Sequence, residues 1–201
     1  YRNTEKSRRL HVAQLLGIAR KYKSQDFWSP VTLDFRGRMY AAPSTLNHQS
    51  SDFARSLLEF AKGEPMSTDS HDGSADFYIH GANLFGTPGT FAQRCTWVNE
   101  NKEEILATAE HPFDVQMWTE AKRPWEFLAW AKEAKRYWDD PDTFRNHLPI
   151  SIDATCNGCQ IWSLLLEDES TAKATNVYPN EEPADLYQAV ANEVLMEVTK
   201  L

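Results

Sequence analysis

Early in the chain, apolar residues return every three or four positions, at Val12, Leu15, Leu16, Ala19 and Tyr22. That spacing predicts an amphipathic helix from about Ser7 to Lys23, with basic residues on its other face. Pro30 ends the pattern, and "VTLDFRGRMYAAP" predicts a strand, a turn at Gly37 and a second short strand. Phe53, Leu57, Phe60 and Ala61 predict a further helix. "DGSADFYIHGANLFG" predicts a short helix ending at Gly81 or Gly86, and Phe91 to Ala109 predict one or two helices with acidic surfaces. The clearest helix is Pro124 to Trp138: Phe127, Trp130, Ala131, Ala134 and Trp138 repeat at helical spacing, and Pro124 sits near the first turn. Its aromatic stripe reads as core packing.

Asp139 to Asn146 reads as a polar connector. Leu148, Ile150 and Ile152 then alternate with Pro149 and Ser151, which predicts a half-buried strand from 148 to 153 delivering Asp153 at its end. After it come a helix through about Asp168, a polar stretch, a short extended piece at Asn176 to Tyr178, and a last helix from about Pro183. Leu186, Ala189, Val190, Val194 and Val198 line one side of that last helix. With no internal repeat and only a few short strands, the expected class is α+β, mainly helical.

The bulk properties narrow the possibilities. At 201 residues, 41% of them hydrophobic, the chain is long enough for a sizeable core. No apolar run approaches the roughly 18 residues needed to cross a bilayer, so a membrane partner is not expected. Cys95, Cys156 and Cys159 are too few and too unevenly placed for a disulfide framework, which favours a reducing compartment. The nearest histidine to the last pair, His147, has no regular zinc-ligand spacing with it. The chain opens on Tyr1 and stops at Leu201 within a helical pattern, and is expected to be an internal fragment. The net charge of −8 conceals a division: residues 1 to 40 hold nine Lys or Arg against three acids, a balance of +6, and the rest hold twelve against twenty-six. Only the basic end suits a polyanion.

Two stretches hold candidate chemistry. In "LPISIDATCNGCQIW", a carboxylate on a strand end could cap the next helix or bind metal in a phosphoryl-transfer enzyme. Cys156 and Cys159 could instead form the C-x-x-C pair of a thiol oxidoreductase. In "DFRGR", Arg36 and Arg38 flank Gly37 at the predicted turn, where guanidinium groups suit bidentate contact with phosphate and the glycine lets another backbone come close. An ordinary hairpin with an Asp34 to Arg38 ion pair fits the same residues.

Taken together, these stretches resemble a known family. "DFRGRMYA" is similar to the D-x-x-G-R element of the single-subunit DNA-directed RNA polymerases of bacteriophages and mitochondria, and "PISIDATCNGCQ" to their palm motif with the first catalytic aspartate. "LLEFAKGEP" and "YIHGANLFG" stand between them in the family's order, and the similarity runs from "KSRR" to the last helix. The resemblance implies a partial right-hand polymerase fold. Residues 1–24 would be a thumb-side helix, 25–61 the first part of the palm with a small sheet, 62–144 a helical palm insertion, 145–169 the palm motif, and 170–201 the start of the fingers.

It also implies roles. Asp153 would be a ligand of two Mg²⁺ ions, with the backbone carbonyl of Ala154 as an additional ligand. Asp34, Arg36, Gly37 and Arg38 would hold the template and the RNA–DNA hybrid, and Lys6, Arg8 and Arg9 match a basic stretch that approaches nucleic acid. Gly158 stands where related DNA polymerases carry a bulky glutamate against the ribose 2′ position, which would leave room for ribonucleotides. DNA template, nascent RNA and ribonucleoside triphosphates are the implied partners of a monomeric parent enzyme. It would work in the host cytoplasm if phage-encoded, or in a mitochondrion or plastid if organellar. Two residues depart from the pattern: Cys159 precedes Gln160 where the family has an aliphatic or aromatic residue, and Glu167 stands where several relatives carry arginine. The second metal-binding aspartate and the nucleotide-binding lysine and tyrosine are expected beyond Leu201, so the fragment alone should be inactive. The rival readings are a thiol oxidoreductase using Cys156 and Cys159, and a noncatalytic nucleic-acid-binding module.

Overall fold

The computed structural model describes residues 2–66, 71–151, 156–178, 180 and 183–199, with the side chains of 2–4 and 71–73 left aside. It is mainly helical, with two small antiparallel sheets. Two compact units divide the chain: residues 1–87 with 94–150, and residues 88–93 with 151–201.

In the first unit, α1 (Arg2–Tyr22) begins about five residues before the sequence expectation. It is anchored by Leu15, which is buried with Leu46, Ala54 and Leu58 in a small cluster. A two-stranded hairpin follows, β1 (Val31–Leu33) and β2 (Met39–Ala41). The helix expected around Phe53 to Ala61 is one turn, α2 (Asp52–Arg55). Tertiary pairing limits it: Leu57 and Leu58 amides bond three residues back, and Phe60 N–H donates to the carbonyl of His147 (2.8 Å), drawing the chain out of the helix.

The larger core lies among α3 (His71–Phe85), α4 (Phe91–Glu100), α5 (Lys102–Glu110) and α6 (Pro124–Asp139). α6 carries the predicted stripe, and Phe127, Trp130, Ala131 and Ala134 are fully buried. Burial of each large apolar side chain of this kind stabilises the fold by about 1.5–3 kcal/mol. Gly81 lies inside α3 and does not end it; it is glycine because of close packing, since a Cβ at 81 would fall 2.2 Å from the Trp130 ring. The indole N–H of Trp130 donates to the Phe77 carbonyl (3.0 Å), satisfying the one polar atom that this ring buries. α3 ends at Gly86, which takes a φ of +99°. α2 also grips α6: the Asp52 carboxylate accepts the Trp125 and Glu126 amides (3.0 Å each), and Arg55 donates to Glu126 (2.6 Å).

The strand expected at 148 to 153 is displaced. Pairing occurs earlier, where β3 (Glu64–Pro65) meets β4 (Arg145–Asn146) in the stretch read as a connector. Residues 148–151 take no strand, since Pro149 has no N–H and the Leu148 N–H is taken by the side chain of Asn146 (3.0 Å). Residues 152 and 153 lie outside the described residues.

In the second unit, α7 (Asn157–Leu165) is followed by α8 (Glu169–Ala174), a helix in the stretch read as merely polar. Asp168 caps it, accepting the Ser170 and Thr171 amides. Asn176 to Tyr178 form no extended piece. Asn176 adopts a φ of +60°, and the Val177 and Tyr178 amides both return to the Ala172 carbonyl, so the segment closes the end of α8. The last helix, α9 (Leu186–Val198), starts at the cap residue Asp185.

Candidate nucleic-acid interface

The "DFRGR" turn is built around one carboxylate. β1 and β2 pair as Val31 with Ala41, Thr32 with Tyr40 and Leu33 with Met39, which places Asp34 to Arg38 at the tip. The Asp34 N–H donates to the Arg38 carbonyl and the Gly37 N–H to the Asp34 carbonyl, both at 3.0 Å. Asp34 Oδ1 accepts the amides of Arg36 (2.8 Å) and Arg38 (2.9 Å), and Oδ2 accepts Arg36 Nε (3.1 Å) and, at 3.4 Å, the Tyr40 hydroxyl. The Arg38 amide, ahead of the contacts with Arg36 and Tyr40, holds the Asp34 carboxyl below its ordinary pKa, against the opposing effect of burial.

Gly37 is required by conformation: its φ is +75°, where a side chain is strained. Among the described residues nothing lies within 4 Å of the place its Cβ would take, so the approach above it is open. The expected ion pair of Asp34 with Arg38 is corrected: Arg36 is the partner, and Arg38 contributes its backbone amide. The shorter arm from residue 34 to 36 lets the guanidinium fold back onto Oδ2. Among the described residues the Arg38 guanidinium makes no ion pair, and Phe35, whose ring lies under the Arg36 guanidinium (5.5 Å to the centroid), is almost wholly exposed at 96%. The turn therefore presents one uncompensated cation, one partly compensated cation and an exposed ring on a locally rigid frame, a combination suited to phosphate and base stacking.

Two residues that sequence reasoning passed over complete the frame. Tyr40 reaches both Asp34 and Arg36 with its hydroxyl. The Gln49 amide accepts the Ala41 N–H (2.7 Å) and donates to the Met39 carbonyl (2.9 Å), occupying the free edge of β2 as a further strand would. The pairing of an aromatic strand position with the turn offered a signal for Tyr40; Gln49, eight residues after Ala41, gave none.

Lys6, Arg8 and Arg9 lie in the first half of α1, all exposed. Lys6 and Arg9, three apart, share a face; Arg8 projects from another. Arg9 pairs with Glu5 at 2.7 Å, a solvent-exposed pair that leaves it able to exchange partners. The structure thus brings Asp34, Arg36, Gly37 and Arg38 into one turn and sets the α1 residues on more than one face.

Asp153 and Ala154 lie outside the described residues. Gly158, the second residue of the second unit's α7, has no left-handed φ and, among the described residues, no atom within 4 Å of a Cβ placed there. The left-handed entry into α7 is made by Cys156 (φ +51°) instead, so a helix-entry turn does not explain the glycine. The Cys156 thiol donates to the Tyr187 hydroxyl (3.3 Å), while Cys159 is exposed; both are free. Among the described residues there is no group of three or more His, Cys, Asp or Glu side chains that could hold a metal, and no helix is long and apolar enough to cross a membrane.

Comparison with known proteins defines the class. A family model described as DNA-dependent RNA polymerase matches residues 69–201. The mitochondrial DNA-directed RNA polymerase of Neurospora crassa is 38% identical over 193 residues, covering 94% of this chain and 13% of that protein. T7 RNA polymerase of Escherichia phage T7 is 35% identical over 194 residues, 94% of this chain and 21% of its own length. The human mitochondrial enzyme is 35% identical over 193 residues, covering 94% of this chain and 15% of itself. The chain belongs to the DNA-dependent RNA polymerase family, in its single-subunit phage and mitochondrial branch. It spans between 13% and 21% of the length of these relatives.

Proposed function

We propose that this chain is part of an enzyme that synthesises RNA on a DNA template, transferring nucleotides from ribonucleoside triphosphates. The observation that carries the proposal is identity of 35–38% across 94% of the chain to proteins named as DNA-directed RNA polymerases in phages and mitochondria alike. In this reading residues 1–24 belong to the thumb side, 25–61 and 145–169 to the palm, 62–144 to a helical insertion and 170–201 to the start of the fingers.

The residues divide the work. Arg38 contacts phosphate of the template or hybrid, Arg36 exchanges its Asp34 bond for such a contact, and Asp34 keeps the turn in shape. Lys6, Arg8 and Arg9 add attraction for nucleic acid along α1. Gly158 leaves space beside the ribose 2′-hydroxyl, which favours ribonucleotides. Asp153 and the Ala154 carbonyl are hard oxygen donors of the kind Mg²⁺ takes. Two such ions, when bound, stabilise the attacking and leaving oxygens of the transfer. The chain's own share is to hold the carboxylate in place and to fix the nucleic acid near it.

Salt dependence tests the interface. In the polymerase that carries this chain, Arg38→Ala should weaken template binding with little sequence preference and make the slope of log affinity against log salt shallower by about one unit. Arg36→Ala should do the same by less, because Asp34 competes for that guanidinium. Unchanged slopes in both variants would return the turn to a purely structural role.

A further inference from the structure

The cysteine pair at the start of α7 has no part in the function proposed above. Cys159 stands where the family has an aliphatic or aromatic residue, so this chain carries a second thiol three residues after Cys156. The Cys156 carbonyl accepts the Gln160 N–H (3.1 Å), which opens the helix. Asn157 and Gly158, between the two cysteines, are helical, and this sets the Cα atoms of 156 and 159 about 5 Å apart. A disulfide spans roughly 4.4–6.8 Å between Cα atoms, so the backbone already has the spacing that one requires. In a helix each Cα–Cβ bond tilts toward the N-terminus, which leans the Cys159 sulfur toward residue 156.

Access is also in place. Cys159 is exposed and Cys156 half-buried, both as free thiols. Gly158 beside them adds no side chain, and among the described residues nothing lies within 4 Å of where its Cβ would stand. The Cys156 thiol donates to the Tyr187 hydroxyl (3.3 Å), which ties the start of α7 to the first turn of α9. Cys95 is different: it lies in the other unit with its thiol on the Ala75 carbonyl (3.8 Å), and burial pushes that thiol's pKa up.

We propose that Cys156 and Cys159 are a reversible disulfide site, closed by exchange with a small disulfide such as oxidised glutathione, and that closure releases Tyr187. The exposed Cys159 thiolate attacks one sulfur of the small disulfide and expels the other half as a thiolate. Cys156 then attacks the Cys159 sulfur and expels the second half. Two protein thiols lose two electrons and two protons, and one small disulfide takes them up to become two thiols. A disulfide sulfur carries no hydrogen, so Cys156 can no longer donate to Tyr187. Exposed disulfides are the easily reduced kind, and a thiol reverses the step. The site is independent of the assignment of Asp153, and it gives the pair no role in turning over a thiol substrate.

The test uses the polymerase that carries this chain, folded, incubated with oxidised glutathione, then alkylated and mapped by mass spectrometry. In the wild type, the peptide holding residues 156 and 159 should lose two hydrogens and regain them in dithiothreitol, while Cys95 stays open to alkylation after unfolding. Cys156→Ser should stop at a glutathione adduct on Cys159. Cys159→Leu, which restores an aliphatic residue, should form no such cross-link. A second readout follows α9: amide exchange in the peptide around Tyr187 should rise on oxidation to the level of reduced Tyr187→Phe, and oxidation should leave exchange in Cys159→Leu unchanged. An unreactive pair in the folded wild type, a lasting glutathione adduct on its Cys159 without closure, closure only after unfolding in urea, or exchange around Tyr187 that does not rise would overturn the inference.

Discussion

α6 and α9 have the same kind of sequence and different surroundings. Both carry an apolar stripe at helical spacing, and both form where the stripe predicts. On α6, Phe127, Trp130, Ala131 and Ala134 are fully buried against neighbouring helices. On α9, no residue is buried, and Val190, Val194, Leu195 and Val198 are all more than half exposed. A periodic stripe thus specifies a helix and the face that wants cover, whereas the cover itself depends on other elements. What shapes α9 locally is its cap: Asp185 Oδ1 accepts the amides of Tyr187 (2.9 Å) and Gln188 (3.2 Å).

The contrast can be broken by truncation. Trp130→Ala should lower the unfolding free energy of the chain by about 3–5 kcal/mol, since it empties a packed site and removes the indole hydrogen bond to the Phe77 carbonyl. Val194→Ala on the exposed stripe should change it by no more than about 0.5 kcal/mol. Urea midpoints of the two variants give the comparison directly, and similar losses would show that α9 is as firmly packed as α6. A smaller effect sharpens the local side of the argument. Asp185→Ala should cost about 1 kcal/mol of α9 stability while Asp185→Asn costs little, because either oxygen-bearing side chain can cap; amide exchange at Tyr187 and Gln188 reads it.

The smallest effect belongs to the hairpin, which is held by polar contacts rather than by burial. The folded pKa of Asp34 is lowered from the usual 3.8, chiefly by the Arg38 amide. The stability that its carboxylate contributes is therefore complete above that usual value and is lost as pH falls through the lower folded value. Carbon-detected NMR titration of Asp34 should show the depressed midpoint, with the Arg36 and Arg38 amides shifting in step. A midpoint at the ordinary value would mean that the turn is not organised by this carboxylate.

Where the chain's own sequence was informative, local physics was enough. The stripe of Phe127 to Trp138, the alternation flanking Gly37 and the basic face of α1 each dictate an element that forms. The resemblance carried by "DFRGRMYA" and "PISIDATCNGCQ" led to the family that the comparisons show. What escaped was decided at long range or by capping. α2 stops because Phe60 pairs with His147, eighty-seven residues away, and no window around Phe60 contains that partner. The strand expected from 148 gives way to Arg145 and Asn146 because Glu64 and Pro65 offer their edge there. α8 carried a legible signal in Asp168, and Asn176 a legible stop, but neither has an apolar stripe to announce it. In the turn, Arg36 and Arg38 look equivalent in sequence; only the geometry shows which of them Asp34 occupies.

The central claim is that Asp153 takes part in nucleotidyl transfer. Asp153→Asn in the polymerase that carries this chain keeps the size and capping ability of the side chain and removes its charge. Templated RNA synthesis, measured as single-nucleotide incorporation at saturating Mg²⁺ and ribonucleotide, should fall by at least about 10³-fold, equivalent to about 4 kcal/mol of transition-state stabilisation. Tm and template affinity should stay near wild type. Incorporation within about 10-fold of wild type, with fold and template binding intact, would contradict the account.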